Sequence, residues 1–200
     1  MTIQKILLEN KIFIFEKTIK KSKFITYIAK IHNENELEEF IKKYKQSNAT
    51  HNCWAFQFGI NNNIRFGYNN DGEPNGTAGE PLLNLIKVNN LTNIVIFCIR
   101  FYGGIKLGVG GLQKAYSIGA INLLKYIKTK VLELLYLVKI KFNISDIKKI
   151  NLYLNNLLIK DLKKLFKENE VIYTFKIDKI DDLKVLNMYC SIDILKQDYF

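Results

Sequence analysis

The chain has 200 residues, 48% of them apolar and 24% charged, and a formal net charge of +11. That apolar content supports one large domain or two small ones, while the longest apolar run, Ile94 to Ile99, falls far short of the roughly 20 residues that span a bilayer. Three widely spaced cysteines, Cys53, Cys98 and Cys190, exclude a disulfide framework.

The chain opens with no charged-then-apolar signal pattern, and its thiols read as reduced, so the expected setting is cytoplasmic. The positive charge has two readings. It suggests an acidic partner such as RNA or the ribosome. It also fits AT-rich coding, because 28 lysines stand beside only 2 arginines, with 29 isoleucines and 22 asparagines. Against that background Arg65 and Arg100 stand out, since lysine cannot copy the planar guanidinium fork.

In chain order, "KIFIFEKTI" and "KFITYIAKI" are β-branched and aromatic runs that read as paired strands joined by Lys20–Lys23. "NENELEEFIKKYKQ" has Leu37, Phe40, Ile41 and Tyr44 at helical spacing, with Asn33 and Glu36 as a capping box. "HNCWAFQFG" reads as a strand with Trp54, Phe56 and Phe58 on one face, a core pattern in preference to a base-stacking platform. "DGEPNGTAGEP" is a turn-rich loop ending in Thr77-x-x-Glu80, a second capping-box pattern. "NIVIFCIRFY" predicts a buried strand, with Val95, Phe97, Ile99 and Phe101 on one face and Cys98, Arg100 and Tyr102 on the other. After it, Leu112, Ala115, Tyr116, Gly119, Ala120, Leu123 and Leu124 make a helical stripe.

All 11 glycines fall between Gly59 and Gly119, and the last 81 residues hold no glycine or proline. This shift predicts two domains, 1–129 and 130–200, with a join near Thr129 or Lys130. The second reads β-α-β-β-α-β, a ferredoxin-like order. Its parts are "LELLYLVKIKF", a helix "SDIKKINLYLNNL" capped by Ser145, "LIKDLKKLF" paired with "EVIYTFKID", a short helix "DDLKVLNMY", and "SIDILKQ". The apolar spacing of residues 158–166 suits a helix as well as a strand.

"RFYGGIKLGVGGLQKAY" sets five glycines within nine residues, Gly103 to Gly111, between the buried strand and the helical stripe. A strand, a glycine loop and a helix N-terminus in succession make a natural anion site. Lys106 and Lys114 flank it, and Arg100 stands at the strand's end. The plainer alternative is a tight connection that packs the helix on the sheet. Gly103 and Gly108 have the Walker A glycine spacing, but Val109 and Gly110 stand where that motif needs Lys and Ser or Thr, and G-x-G-x-x-G fails because Leu112 and Gln113 follow Gly111.

"ATHNCWAF", "DGEPNGTAGEP" and "RFYGGIKLGVGGLQKAY", in this order and after "KKSKFITYIAKI", resemble the IMPACT family, in its bacterial YigZ-like branch. The resemblance covers nearly the whole chain. It implies an α+β protein of two domains: an α/β sandwich like the second domain of ribosomal protein S-five, and a ferredoxin-like domain like the last domain of elongation factor G. Eukaryotic members act in translational control, through a partner that a ferredoxin-like tail would not meet; bacterial members are treated as nucleic-acid or ribosome binders. Carried over, the shared surface includes Pro74 and Pro81 and a cleft lined by His51, Asp71, Gly72, Glu73, Gly76, Thr77 and Gly79. Its anion- or RNA-binding set is Arg100, Tyr102, Gly103, Gly104, Lys106, Gly108, Gly110, Gly111 and Lys114. The bacterial pattern has lysine where this chain has Glu80.

Sharper chemistry is weighed on the same residues. Asp71 and Glu73 are candidate Mg²⁺ ligands, but Asp-Gly is ordinary turn chemistry. A pairing of either with Arg100 explains both charges without any ligand. His51 and Cys53 share a strand face at about 6–7 Å, too far for an activated thiol. Two histidines, His32 and His51, without a C-x-x-C do not assemble a zinc site. The expectation is a non-enzymatic cytoplasmic protein that contacts RNA or the ribosome and regulates translation, with no cofactor, no metal and no assigned catalytic residue. The alternatives are a metal-dependent nucleotide or phosphate-ester enzyme using Asp71 and Glu73, and a module that binds a translation-factor protein.

Overall fold

A computed structural model describes residues 3–200. The chain divides into two compact units, the first ending at Val131 and the second Leu132–Phe200.

The first unit is built on a five-stranded sheet of order β2-β3-β6-β4-β5, with every neighbouring pair antiparallel. Its strands are β2 (Phe13–Ile19), β3 (Ser22–Lys30), β4 (His51–Phe58), β5 (Arg65–Asn69) and β6 (Ile94–Phe101). β1 (Lys5–Leu7) pairs with β7 (Thr129–Val131) in a separate ribbon. Helices α2 (Gly79–Val88) and α3 (Val109–Leu124) cover one face of the large sheet, and α1 (Glu34–Tyr44) covers the other.

β6 is central, which is why it reads as an unbroken apolar run. Ile94, Ile96 and Cys98 join the core under α2 and α3, while Val95, Phe97 and Ile99 join the core under α1. Trp54, Phe56 and Phe58 lie on the α1 face as packing residues. Phe56 stacks on Phe58, and its ring fills the space where Gly67 lacks a side chain. Asn33 caps α1 as expected, with the Glu36 amide donating to Asn33 Oδ1 at 2.9 Å, but the returning half of the box is shifted: Glu36 accepts from Asn33 Nδ2 at 3.2 Å and from the His32 amide at 2.8 Å. The α3 stripe is also as expected, with Leu112, Ala115, Tyr116, Gly119 and Ala120 buried.

The second unit has the strand order β11-β8-β10-β9, all antiparallel, which is the ferredoxin-like arrangement. It runs β8 (Leu134–Asn143), α4 (Ile147–Leu154), β9 (Lys160–Lys167), β10 (Glu170–Ile177), a 3₁₀ helix Ile180–Met188 and β11 (Cys190–Tyr199). Residues 160–167 form a strand because β10 supplies a partner; as an exposed edge it is guarded by lysines. One local expectation fails. Ser145 does not cap the helix: its amide instead donates to Asn143 Oδ1 at 3.0 Å, and α4 begins at Ile147 without a side-chain cap.

Candidate functional site

The β4/β6 register sets His51 opposite Arg100 and Cys53 opposite Cys98. The loop between β5 and α2 folds over this end of the sheet, fixed by Asn70. The Asn70 carbonyl accepts from the Glu73 amide at 2.9 Å and the Cys53 thiol at 3.0 Å, and its Oδ1 accepts from the Gly79 amide at 2.8 Å. Asn70 thus supplies the cap for α2 that the sequence pattern assigns to Thr77 and Glu80. Thr77 Oγ1 donates to the Pro74 carbonyl at 2.7 Å, and Glu80 Oε2 accepts from the Gly76 amide at 2.7 Å. The capping-box pattern therefore describes a loop brace: Ala78 is the cap residue, with no side-chain bond to the helix.

Within the loop, Asp71 and Gly72 take left-handed φ values of +43° and +85°. Asp71 Oδ2 accepts from the Asn52 amide at 2.6 Å, and the Asp71 carbonyl accepts from His51 Nδ1 at 2.7 Å. A carbonyl only accepts, so His51 Nδ1 carries a proton and donates it, while Nε2 faces Glu73 Oε1 at 3.6 Å. That same oxygen accepts from Arg100 Nη1 at 2.5 Å and from Tyr116 Oη at 2.7 Å. Arg100 and Glu73 are buried, and the guanidinium carbon lies over the rings of Phe24 and Tyr102, 5.6 and 5.2 Å from their centroids. Sequence segments 27 and 43 residues apart thus meet on one carboxylate oxygen. Tyr116 reads as plain core in the sequence. A tyrosine on a helix's buried stripe nevertheless needs a hydroxyl partner, and that is the signal that points to it.

This node revises the expected site. Arg100 is no phosphate fork, because its guanidinium is buried and bonded to Glu73. Glu73, Thr77 and Gly79 are packed inside the loop and do not line an open cleft, whereas Asp71, Gly72 and Gly76 remain exposed. The two carboxylates are engaged apart from one another: Asp71 Oδ2 accepts from the Asn52 amide, and buried Glu73 accepts from Arg100 and Tyr116. Among the described residues no group of three His, Cys, Asp or Glu stands where it could hold a metal. Burial pushes the Cys53 thiol well up and the Cys98 thiol up to about 12, so both are protonated at neutral pH.

The glycine loop divides in two. Its first part is consumed by packing. The Tyr102 amide donates to Thr50 Oγ1 at 2.9 Å and the Gly103 amide to Ser22 Oγ at 3.2 Å. A Cβ on Gly103 would lie 2.0 Å from the Lys21 carbonyl oxygen, so glycine here seats the β2–β3 hairpin against the loop. Its second part is open. Among the described residues, the amides of Gly104, Ile105 and Lys106 find no acceptor. Gly108 caps α3 with no side chain, and the first turn carries no acid. Gly110 has no left-handed φ, and a Cβ there would meet nothing within 4 Å. In a helix that glycine costs roughly 0.5–1 kcal/mol against alanine, and nothing in the protein's own packing requires it. Of the expected anion set, Gly104, Lys106, Gly108, Gly110, Gly111 and Lys114 stay at this surface.

A five-stranded antiparallel sheet with helices on both faces, closed at one end by a D-G-E-P loop and a glycine loop over one Glu–Arg–Tyr node, defines a distinct domain type. The model of the Impact N-terminal domain matches residues 20–124, and the chain belongs to the IMPACT family. It is 41% identical over 121 residues to an IMPACT family member of Haemophilus influenzae, covering 59% of each chain. It is 46% identical over 104 residues to YvyE of Bacillus subtilis, covering 51% of this chain and 48% of that one. Over 115 residues it is 36% identical to YigZ of Escherichia coli, covering 56% of each. The matched stretch thus spans between about half and three-fifths of these relatives' length. A crystal structure of a hypothetical protein shares the fold along 99% of this chain and all of its own, with a TM-score of 0.63 at 24% identity.

Proposed function

We propose that the protein is a non-enzymatic binding protein that regulates translation by contacting the phosphate backbone of RNA, on the ribosome or free. The observation that carries this reading is the open half of the glycine loop, residues 104–111. Unpartnered amides there run into the uncapped N-terminus of a 16-residue helix, with Lys106 and Lys114 exposed alongside. Support comes from the charge around it: residues 81–132 contain no Asp or Glu. Family membership supports the translational setting, since eukaryotic members act in translational control.

The test is fluorescence anisotropy with a labelled single-stranded RNA across a salt series. Affinity is expected to fall steeply with salt, as counterion release requires. Lys106→Ala with Lys114→Ala is expected to flatten the log–log slope by about 1.4 units if both lysines touch phosphates. Binding that ignores salt, or its absence from both RNA and ribosomes, would overturn the reading. RNA-free co-purification with a translation factor would then assign the surface to a protein partner.

A further inference from the structure

We propose that the tip of the β2–β3 hairpin, Lys20 and Lys21, forms the second wall of this surface and grips the same RNA backbone as Lys106 and Lys114. The proposal rests on the reading above and adds two residues that lie outside the expected set.

The first argument is placement. Ser22 Oγ accepts from the Gly103 amide, and the missing Gly103 side chain leaves room for the Lys21 carbonyl. The hairpin tip is therefore seated on the glycine loop, 81 residues away in sequence. Lys106 follows Gly103 by three residues, so the chain separates their Cα atoms by at most about 11 Å. Lysines 20, 21 and 106 are thus gathered at one edge from two remote segments.

The second argument is charge. Lys20, Lys21, Lys106 and Lys114 are all exposed, and among the described residues none of them pairs with a carboxylate. The surroundings offer few acids. Residues 17–33 carry none, like residues 81–132, and these stretches supply β3, β6, α3 and the last three residues of β2. The nearest acid along β2, Glu16, is already bonded to Lys23 at 2.8 Å. Buried Glu73 is bonded to Arg100. A cationic edge whose four lysines have no carboxylate partner among the described residues is matched by a polyanion.

The third argument is the residue type. Ile19 pairs with Ser22, so Lys20 and Lys21 form a two-residue turn with φ of +44° and +65°. Turns with both central residues left-handed favour Asn-Gly, and other side chains are strained there. This chain does place asparagine at other left-handed positions, Asn61, Asn90 and Asn93. At the hairpin tip it keeps two lysines despite the conformational cost, which is the pattern of residues retained for their charge.

The decisive variant is Lys20→Asn with Lys21→Gly, which removes both charges and supplies the preferred turn. Its thermal midpoint is expected to stay or rise. Its RNA affinity is expected to drop about 25-fold at 0.1 M salt, with the salt slope lower by about 1.4 units, as two lost single-strand contacts require. Lys20→Gln with Lys21→Gln, which keeps Cβ at both positions, is expected to give the same binding loss. Unchanged binding in these variants, while Lys106→Ala with Lys114→Ala still weakens it, would overturn this proposal alone. No binding by the unaltered protein would overturn the function on which it rests. Displacement of the RNA by polyglutamate at equal charge would assign the edge to an acidic protein and overturn the RNA claim.

Discussion

The two units carry their positive charge differently. The first, to Val131, has 18 basic and 9 acidic side chains; the second, from Leu132, has 12 and 10. In the second unit six of the lysines sit within ion-pair distance of a carboxylate: Lys139, Lys149, Lys160, Lys176, Lys184 and Lys196. In the first, only Lys11 and Lys23 do so among the described residues. A biased genome writes lysine into both units alike, but it does not decide which lysines gain partners. A surface whose cations are answered internally is a solvated structural face, whereas one left unanswered is available to a ligand. Among the described residues of the first unit the one deeply buried cation, Arg100, follows the structural rule, because Glu73 answers it.

The largest expected effect tests that answered pair. Arg100→Met should cost about 3–5 kcal/mol in urea unfolding, because it strands a buried carboxylate. Arg100→Met combined with Glu73→Met should recover much of the loss, since burying a charge pair carries its own desolvation cost. A full loss in the double variant would mean that the node does more than hold the loop. Next comes Gly103→Ala, whose Cβ would overlap the Lys21 carbonyl. It should cost about 1–3 kcal/mol, as overpacking does, and weaken RNA binding together with stability by moving the hairpin tip. Intact RNA binding in a destabilised Gly103→Ala protein would separate tip from loop.

The thiols extend the comparison. Burial raises Cys98 to about 12, and Cys190 of the second unit, which is less enclosed, to about 11. Burial also raises Cys53 and Tyr116 of the first unit. In each case the unfolded chain releases its proton at a lower pH than the folded one. Their contribution to stability is therefore complete below about pH 9 and is lost as pH rises towards the folded values. Cys98 alone can contribute a slope of about 1.4 kcal/mol per pH unit across that window. Urea midpoints between pH 8 and 11 should fall steadily, and a flat profile would refute burial of the neutral thiol. At pH 8 an alkylating reagent should modify Cys190 well before Cys53 or Cys98.

What the sequence discloses follows from how local each device is. The β2–β3 pair, the Asn33 cap of α1, the alternation of β6 and the ferredoxin-like order are set by neighbours or by short periods, and each forms as expected. The Thr77–Glu80 pattern has the right residues at the right spacing and still misleads. The loop places Asn70, nine residues before Gly79, closer to the helix's free amide. Ser145 misleads in the same way, because Asn143 accepts its amide. The Arg100–Glu73 bond is one of the alternatives that the residues leave open, and the fold of the loop, with Asp71 turned to the Asn52 amide and the Glu73 amide on the Asn70 carbonyl, selects Glu73 over Asp71. Tyr116 and the hairpin tip carry local signs, a hydroxyl on a buried stripe and two lysines in a tight turn, but nothing local names their partners, which arrive from 43 and 81 residues away.

The smallest expected effect tests the claim that answered and unanswered lysines differ in kind. Lys160 bonds Glu133 at 2.6 Å on an exposed part of the second unit. Lys160→Ala should cost only about 0.2–1 kcal/mol, as surface ion pairs do, and the cost should shrink at high salt. The RNA salt slope should not move, because that cation is already engaged within the protein. Lys106→Ala should do the reverse: no measurable loss of stability, and a slope lower by about 0.7 units for a single-stranded RNA. Equal slopes for the two single variants would erase the distinction, since a paired lysine would then be as available to phosphate as an unpaired one. The net charge of the whole chain, and no particular edge of it, would then govern binding.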